Sequence, residues 1–275
     1  MSGVLCAICP HNCVIEEGNY GYCGARMNRE GRIVDDNYGK ITSIALDPIE
    51  KKPLKRFFPG SAILSVGSYG CNFRCSFCQN HSISMVRSSD GCIHATPETL
   101  VEKAVKFKPQ GNIGLAYTYN EPLIGFEFVF DCAKLASENG LKNVVVTNGY
   151  INEKPLKALL PYIDAFNIDL KSFSPDFYKS IGGDLEVVKR SIEIASEKSH
   201  VEVTTLIIAG ENDSEEEIRL LSQWLSSVNP EIPLHISRFF PAYKMKDRNP
   251  TPVSTVLRLA DIARESLKYV YEGNI

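Results

Sequence analysis

The sequence predicts an α/β fold, a partial (β/α)6 TIM-like barrel with a small N-terminal cysteine-rich appendage, on three observations. Beyond residue 60, short β-rich runs alternate with helical stretches, the pattern of β-α units laid into a parallel sheet. Six such units are too few to close an eight-stranded barrel, so the barrel is expected to be open on one side. The first 58 residues lack this alternation and instead carry Cys6, Cys9, Cys13 and Cys23 interleaved with Gly18, Gly21 and Gly24. At 275 residues and 44% hydrophobic content, the chain buries a full core of barrel size and has length left for one appendage.

In chain order, the run Lys40-Ile41-Thr42-Ser43-Ile44-Ala45-Leu46 is strand-like. The segment after it, from Asp47 to Leu54, contains Pro48 and Pro53 among mixed charges, which reads as an ordered connector rather than a helix. Two segments follow: a cysteine-rich metal-binding segment with its connector over 1–58, and the barrel with a C-terminal helix over 59–275, divided near Phe58-Pro59-Gly60. Strands are predicted over 63–68, 112–117, 143–147, 165–169, 201–208 and 234–237, and helices over 97–107, 123–139, 153–160, 185–198 and 214–228. Thr96 before Pro97 is an N-cap followed by proline at the first helical position, and Asp213 or Ser214 precedes a glutamate-rich first turn. Asn139-Gly140 is a helix stop. A last helix over 253–271 is expected to pack outside the barrel or cover an edge.

Charge is near balance, at net −3, which argues against bulk nucleic-acid or anionic-membrane binding. No apolar run approaches the roughly 20 residues of a membrane span, and Met1 to Cys6 lacks a basic stretch followed by an apolar one; the expected location is the cytoplasm. Nine cysteines is an odd count, and seven of them fall in two tight clusters, which reads as metal ligation in a reducing compartment rather than a disulfide framework.

One cluster is Cys71, Cys75 and Cys78, spaced C-x3-C-x2-C directly after the apolar run Ala62-Ile63-Leu64-Ser65-Val66. Three thiolates within eight residues at a strand end converge on one metal centre. A closed structural zinc site takes four ligands, whereas a [4Fe–4S] cluster held by three cysteines leaves one iron free. The other cluster, Cys6, Cys9, Cys13 and Cys23, is a C-x2-C-x3-C-x9-C array. Four thiolates on glycine-rich knuckles suit structural zinc or an auxiliary iron–sulfur cluster, against the plain alternative of buried unligated cysteines; His11 is a turn residue or a replacement ligand.

The stretch from Gly70 to Asn80, with aromatic Phe77 before the last cysteine, closely resembles the signature of the radical S-adenosylmethionine (SAM) superfamily. The resemblance spans about residues 60 to 240 and implies a [4Fe–4S] cluster on the triad, with SAM chelating the open iron through its amino and carboxylate groups. Glu121, in Thr118-Tyr119-Asn120-Glu121-Pro122, matches the acidic residue that accepts from the SAM ammonium. Thr147-Asn148-Gly149 and Asp169-Leu170-Lys171 resemble the T-N-G and D-x-K motifs of glycyl-radical-enzyme activating enzymes, typified by pyruvate formate-lyase activating enzyme. Residues two apart on a strand share a face, so Asp169 and Lys171 both point to the pocket, with Lys171 placed for the SAM carboxylate. Val146 stands where the family has an acidic residue at a monovalent-cation site, which puts that site in doubt. His235, followed by Arg238, is either a satisfied core group or a pocket residue facing SAM or substrate. Cys132 reads as core, and Cys92 is undecided.

More narrowly, the cysteine array, the segment from Asp47 to Leu54 and Arg238-Phe239-Phe240-Pro241 look like the AmmeMemoRadiSam group, named for its association with AMMECR and Memo-type proteins. The implied function is reductive cleavage of SAM to a 5′-deoxyadenosyl radical for hydrogen abstraction, an oxidoreductase chemistry fed by a reducing partner such as flavodoxin or ferredoxin. Its target is a glycyl-radical protein or a different protein, RNA or small molecule. The competing reading is a metal-binding interaction module, in which the N-terminal knuckle docks a partner and the barrel is scaffold.

Overall fold

The computed structural model describes residues 3–87 and 90–275. Its centre is one eight-stranded sheet in the order β8-β7-β6-β5-β4-β3-β2-β1, formed by β1 (Ser43–Pro48), β2 (Ala62–Gly67), β3 (Asn112–Tyr117), β4 (Lys142–Thr147), β5 (Ala165–Asp169), β6 (His200–Ile207), β7 (Leu234–Arg238) and β8 (Val270–Gly273). The strands from β2 to β8 pair in parallel, and β1 is antiparallel to β2, with Ser43 opposite Gly67 and Pro48 opposite Ala62. β1 and β8 end the strand order, so the sheet is the open partial barrel that six β-α units predict, extended by one strand at each edge.

Helices α1 (Pro97–Lys106), α2 (Phe126–Glu138), α3 (Glu153–Leu159), α4 (Pro175–Ser180), α5 (Leu185–Ser196), α6 (Glu215–Val228) and α7 (Val253–Arg264) connect or flank these strands. Local chemistry starts several of them. Thr96 Oγ1 accepts from Thr99 N–H at 3.3 Å while Thr99 Oγ1 accepts from Thr96 N–H at 2.9 Å, a reciprocal cap ahead of Pro97. Ser214 Oγ accepts from Glu217 N–H, with Glu215, Glu216 and Glu217 at the positive end of α6. One face of each long helix is apolar and buried, as Leu100, Val101 and Ala104 are in α1, and that burial supplies most of the helical stability.

Three of the differences from the sequence reading bear on the barrel. The helix expected over 253–271 stops at Arg264, and Val270–Gly273 instead pairs in parallel with β7, where buried Val270 covers an edge that would otherwise expose backbone donors and acceptors. The helix expected from residue 123 opens with a 3-10 turn over Pro122–Gly125, and α2 begins only at Phe126. The six-residue α4 is an addition, although Ser174 followed by Pro175 is an N-cap signature in plain view: Ser174 Oγ accepts from Phe177 N–H at 3.3 Å.

The segment after β1 is the ordered connector expected, and it is packed inside. Ile49, Leu54 and Phe57 cluster with Ile63, Ala116, Val144 and Ala165, the interior-facing side chains of β2 to β5. Glu202 of β6, fully buried, accepts from the backbone N–H groups of Lys55 at 3.0 Å and Arg56 at 2.8 Å, and Asn167 Nδ2 donates to Pro53 O at 2.9 Å. These bonds pin the connector across the barrel interior.

Ahead of β1 lie two small antiparallel hairpins, Val4–Leu5 with Val14–Ile15 and Arg26–Arg29 with Arg32–Asp35. The loop of the first carries Cys6, Cys9 and Cys13, and Cys23 lies in the segment that joins the two. Among the described residues no helix is long and apolar enough to cross a membrane.

Candidate active site

The triad loop leaves the carboxyl end of β2. Gly70 has φ +87, and a Cβ there would stand 2.7 Å from Cys23 O, so both the left-handed turn and the close approach require glycine. Asn120 closes the loop from the next strand end: its Nδ2 donates to Tyr69 O and Gly70 O, and its Oδ1 accepts from Ser68 N–H at 3.0 Å. Cys75 and Phe77 are buried, and Cys71 and Cys78 are half-buried.

Cys71, Cys75, Phe77 and Cys78 line a cavity of about 370 Å³ that also receives Glu121, Thr147, Asn148, Asp169 and Lys171. These residues lie at the carboxyl ends of β2 to β5, and Leu206 and Ser237 join from β6 and β7. Eight of the side chains that the resemblance singled out, together with Phe77, therefore share one chamber at the end of the barrel where such enzymes place chemistry. Val146 also lines it.

Glu121 is the hub of the chamber. Its side chain is buried, with Oε1 accepting from Leu123 N–H at 2.9 Å and Thr147 Oγ1 at 2.8 Å, and Oε2 accepting from Asn148 N–H at 2.7 Å. Burial pushes its carboxyl up to about 7 despite these three donors. Asn148 extends the chain of contacts, with Nδ2 donating to Asn72 Oδ1 at 2.8 Å and lying 3.8 Å from Cys71 Sγ.

Lys171 Nζ pairs with Asp169 Oδ2 at 2.8 Å. Burial alone would lower the ammonium, but the Asp169 carboxylate and the Cys75 sulfur hold it charged, above its ordinary value. Burial also pushes the Cys71 and Cys75 thiols up, Cys75 to about 11. The chamber thus holds three soft sulfur donors and one secured cation, and loss of the thiol protons there calls for the positive charge of a bound metal.

His235 is not in this chamber. It is buried, with Nε2 donating to Glu202 Oε2 at 2.6 Å and its ring stacked on Tyr271. His200 Nε2 donates to the other oxygen of Glu202 at 2.9 Å. Arg238 turns to Thr251 O at 2.6 Å. Cys132, on the buried face of α2, is fully buried in the core, and Cys92 is half-buried.

Sequence reasoning missed Lys51, Lys52 and Tyr119, which form another wall of the cavity. Lys52 Nζ and Tyr119 Oη both donate to Asp47 Oδ2, at 2.8 and 2.7 Å, and Lys51 Nζ lies 3.5 Å from Asp47 Oδ1. Burial opposes ionisation of Asp47, and the bonds from Lys52 and Tyr119 outweigh it, holding the carboxyl down at about 2. Tyr119 reaches this position with φ +73, a strained value for a non-glycine residue beside a pocket. Its place two residues before Glu121 was the available signal.

The four N-terminal cysteines are also brought together. Cys6, Cys9, Cys13 and Cys23 line one small internal void beside the triad loop. His11 lines the same void, and its Nε2 lies 2.9 Å from Asn72 O.

Residues 65–225 match the family model described as the Radical SAM superfamily, and the chain belongs to that superfamily. Among particular relatives, an uncharacterized protein of Methanocaldococcus jannaschii is 43% identical over 277 residues, covering 99% of this chain and 81% of that one. Pyruvate formate-lyase-activating enzyme of Clostridium pasteurianum is 30% identical over 169 residues, 58% of this chain and 67% of its own. The fold is shared with Streptococcus suis SuiB bound to S-adenosylmethionine, at TM-score 0.57 and 14% identity over 77% of this chain and 51% of that one. It is also shared with a domain of pyruvate-formate lyase-activating enzyme from Bacteroides vulgatus, at TM-score 0.51 and 20% identity over 58% of this chain and 99% of that one.

Proposed function

We propose that this enzyme binds a [4Fe–4S] cluster on Cys71, Cys75 and Cys78 and SAM in the adjoining cavity, and that it generates a radical on a glycine of a partner protein. The observation that carries the reading is the single chamber of about 370 Å³ in which three half-buried or buried thiols face Glu121, Asp169 and Lys171. Three thiols, with no fourth Cys and no His among the described residues that line the chamber, suit a cluster with one open iron. When bound and reduced, such a cluster supplies the electron that splits SAM into methionine and a 5′-deoxyadenosyl radical.

The chain's own residues bind and orient. Lys171, kept charged by Asp169, is the cation for the SAM carboxylate; Glu121 fixes the Thr147-Asn148 turn and offers its remaining lone pairs to the SAM ammonium. Phe77, with Phe73, Val146 and Leu206 in the same lining, supplies the apolar contact that excludes water from part of the chamber. His235, bound to Glu202, takes no part in holding SAM in this reading.

A protein glycine is supported as target by the T-N-G and D-x-K motifs and by the activating-enzyme relatives. A second reading, an anionic small substrate, rests on Lys51 and Lys52 at the cavity wall, where two ammonium groups face one carboxylate. Electrons would come from a low-potential partner of the flavodoxin or ferredoxin class, and AMMECR or Memo-type proteins are the candidate associates of the narrower group. The test is electron paramagnetic resonance after mixing reduced enzyme, SAM and a candidate glycyl-radical protein without oxygen. A stable doublet on that protein is expected; SAM turnover with no protein radical would overturn the glycine target.

A further inference from the structure

We propose that Arg74, seated by Tyr22 of the N-terminal appendage, raises the reduction potential of the cluster at the triad, so that the appendage sets how readily that site takes an electron. This role of Arg74 rests on the cluster proposed above and not on what the four N-terminal cysteines hold.

Arg74 stands between Cys71 and Cys75 in the chain and is tied to the loop that carries them. Its Nη1 donates to Cys71 O at 2.7 Å and to Phe73 O at 2.9 Å, and its backbone N–H donates to Ile181 O, just past α4, at 2.8 Å. A guanidinium nitrogen 2.7 Å from the Cys71 carbonyl oxygen lies within about 8 Å of the Cys71 sulfur by covalent geometry alone. Lys171 is balanced by Asp169 and Lys52 by Asp47. Arg74 has carbonyl partners instead, and among the described residues no carboxylate pairs with it.

The appendage fixes this charge in place. Nη2 donates to Tyr22 O, and the guanidinium carbon lies over the Tyr22 ring, 4.1 Å from its centroid. Tyr22 is held in turn by His11, whose ring packs on it at 4.3 Å while its Nε2 lies 2.9 Å from Asn72 O. Gly182, at φ +81, leaves room for the Tyr22 hydroxyl, which a Cβ there would meet at 2.8 Å. Next to Tyr22, Cys23 O accepts the Cys71 N–H at 3.1 Å, so residues 22 and 23 grip the triad loop at both Arg74 and Cys71.

Reduction adds one negative charge to a site already bounded by three thiolates. The electron comes from a donor of the flavodoxin or ferredoxin class, and no covalent bond is made or broken in the transfer. A positive charge held nearby stabilises the reduced form more than the oxidised one, and cluster potentials move with local charge and hydrogen bonding. A planar guanidinium suits this position, because it bonds several carbonyls and stacks on a ring while staying charged at any working pH. Without the Tyr22 ring and carbonyl, a half-buried arginine swings towards solvent, where its charge is screened.

The test is a redox titration of the anaerobically reconstituted full chain, in which electron paramagnetic resonance follows the signal that added SAM shifts. The titration itself is run without SAM, and variants are compared at equal iron content. Arg74→Ala should lower the reduced-to-oxidised ratio at a given solution potential by about tenfold, a downward shift of about 59 mV for one electron. Tyr22→Leu should lower that ratio by about threefold, while Tyr22→Phe, which keeps a ring face under the guanidinium, should titrate as the wild type does. Should Arg74→Ala fail to take up iron, the two Tyr22 variants decide. An unchanged potential in Arg74→Ala, or equal potentials in Tyr22→Leu and Tyr22→Phe, would overturn the inference. A wild type with no signal that SAM shifts would sink the proposed function itself; a wild type that has one, with variants that titrate alike, sinks only the role given to Arg74 and Tyr22.

Discussion

Glu121 Oε2 accepts the backbone N–H of Asn148 at 2.7 Å, and this buried bond joins the loops after β3 and β4. The other carboxylate oxygen holds Leu123 N–H and Thr147 Oγ1. A carboxylate is needed because only an acceptor at both oxygens satisfies three donors at a buried position.

Glu121→Gln therefore leaves an amide NH2 facing buried donors. Stability should fall by about 1–3 kcal/mol and SAM affinity by about tenfold or more, with the triad cluster still formed. Urea denaturation and SAM titration of the reconstituted variant check both, and unchanged SAM affinity would remove Glu121 from the binding site.

Lys171→Ala should also weaken SAM binding by about tenfold or more at undiminished iron content, since a charge-assisted hydrogen bond contributes on the order of 1.5–3 kcal/mol. Because Asp169 then stands unpaired in the cavity, Asp169→Asn/Lys171→Ala should be more stable than Lys171→Ala alone. Equal SAM affinity in wild type and Lys171→Ala would show that the ion pair with Asp169 is the lysine's whole role.

Gly70→Ala forces a side chain into a left-handed turn and against Cys23 O. The expected cost is about 1–3 kcal/mol, with iron incorporation reduced because the triad loop is displaced. A variant that melts like the wild type and reconstitutes fully would show that the loop tolerates the shift.

Glu202 predicts a pH signature far from the chemistry. Burial opposes its ionisation, but hydrogen bonds from His200 and His235 and the Arg56 N–H outweigh that and hold it down at about 2, against an ordinary 4.5. A depressed folded value contributes stability that is complete above about pH 4.5 and is lost as the pH falls towards 2, on the order of 3 kcal/mol in all. The stability gap between wild type and Glu202→Gln should therefore narrow from pH 5 to pH 2.5. Denaturant midpoints across that window decide it, and a constant gap would contradict the network.

Glu202 also shows where the sequence was legible and where it was not. The strand and helix order followed from local patterns, because alternation, caps and stops such as Thr96-Pro97 and Asn139-Gly140 act within a few residues. The triad, Glu121 and the pair at Asp169 and Lys171 were legible because they sit at strand ends, where position in a β-α unit fixes direction. His235 was ambiguous because strand alternation puts it inside the barrel but does not say at which depth; Glu202, 33 residues away, holds it below the chamber. The wall made by Lys51, Lys52 and Tyr119 was hidden for the same reason, since Asp47 and Tyr119 are 72 residues apart. The strand at Val270–Gly273 was missed because a four-residue edge strand directly after a helix carries almost no periodicity.

Cleavage of SAM in the triad chamber is read by the 5′-deoxyadenosine and methionine that the reconstituted, dithionite-reduced enzyme releases with and without Cys75. Both products are expected in equal amounts from the wild type and none from Cys75→Ala, whose cluster lacks a thiolate with no spare to replace it. Undiminished 5′-deoxyadenosine from Cys75→Ala, or none from a wild-type enzyme with its irons in place, would contradict it.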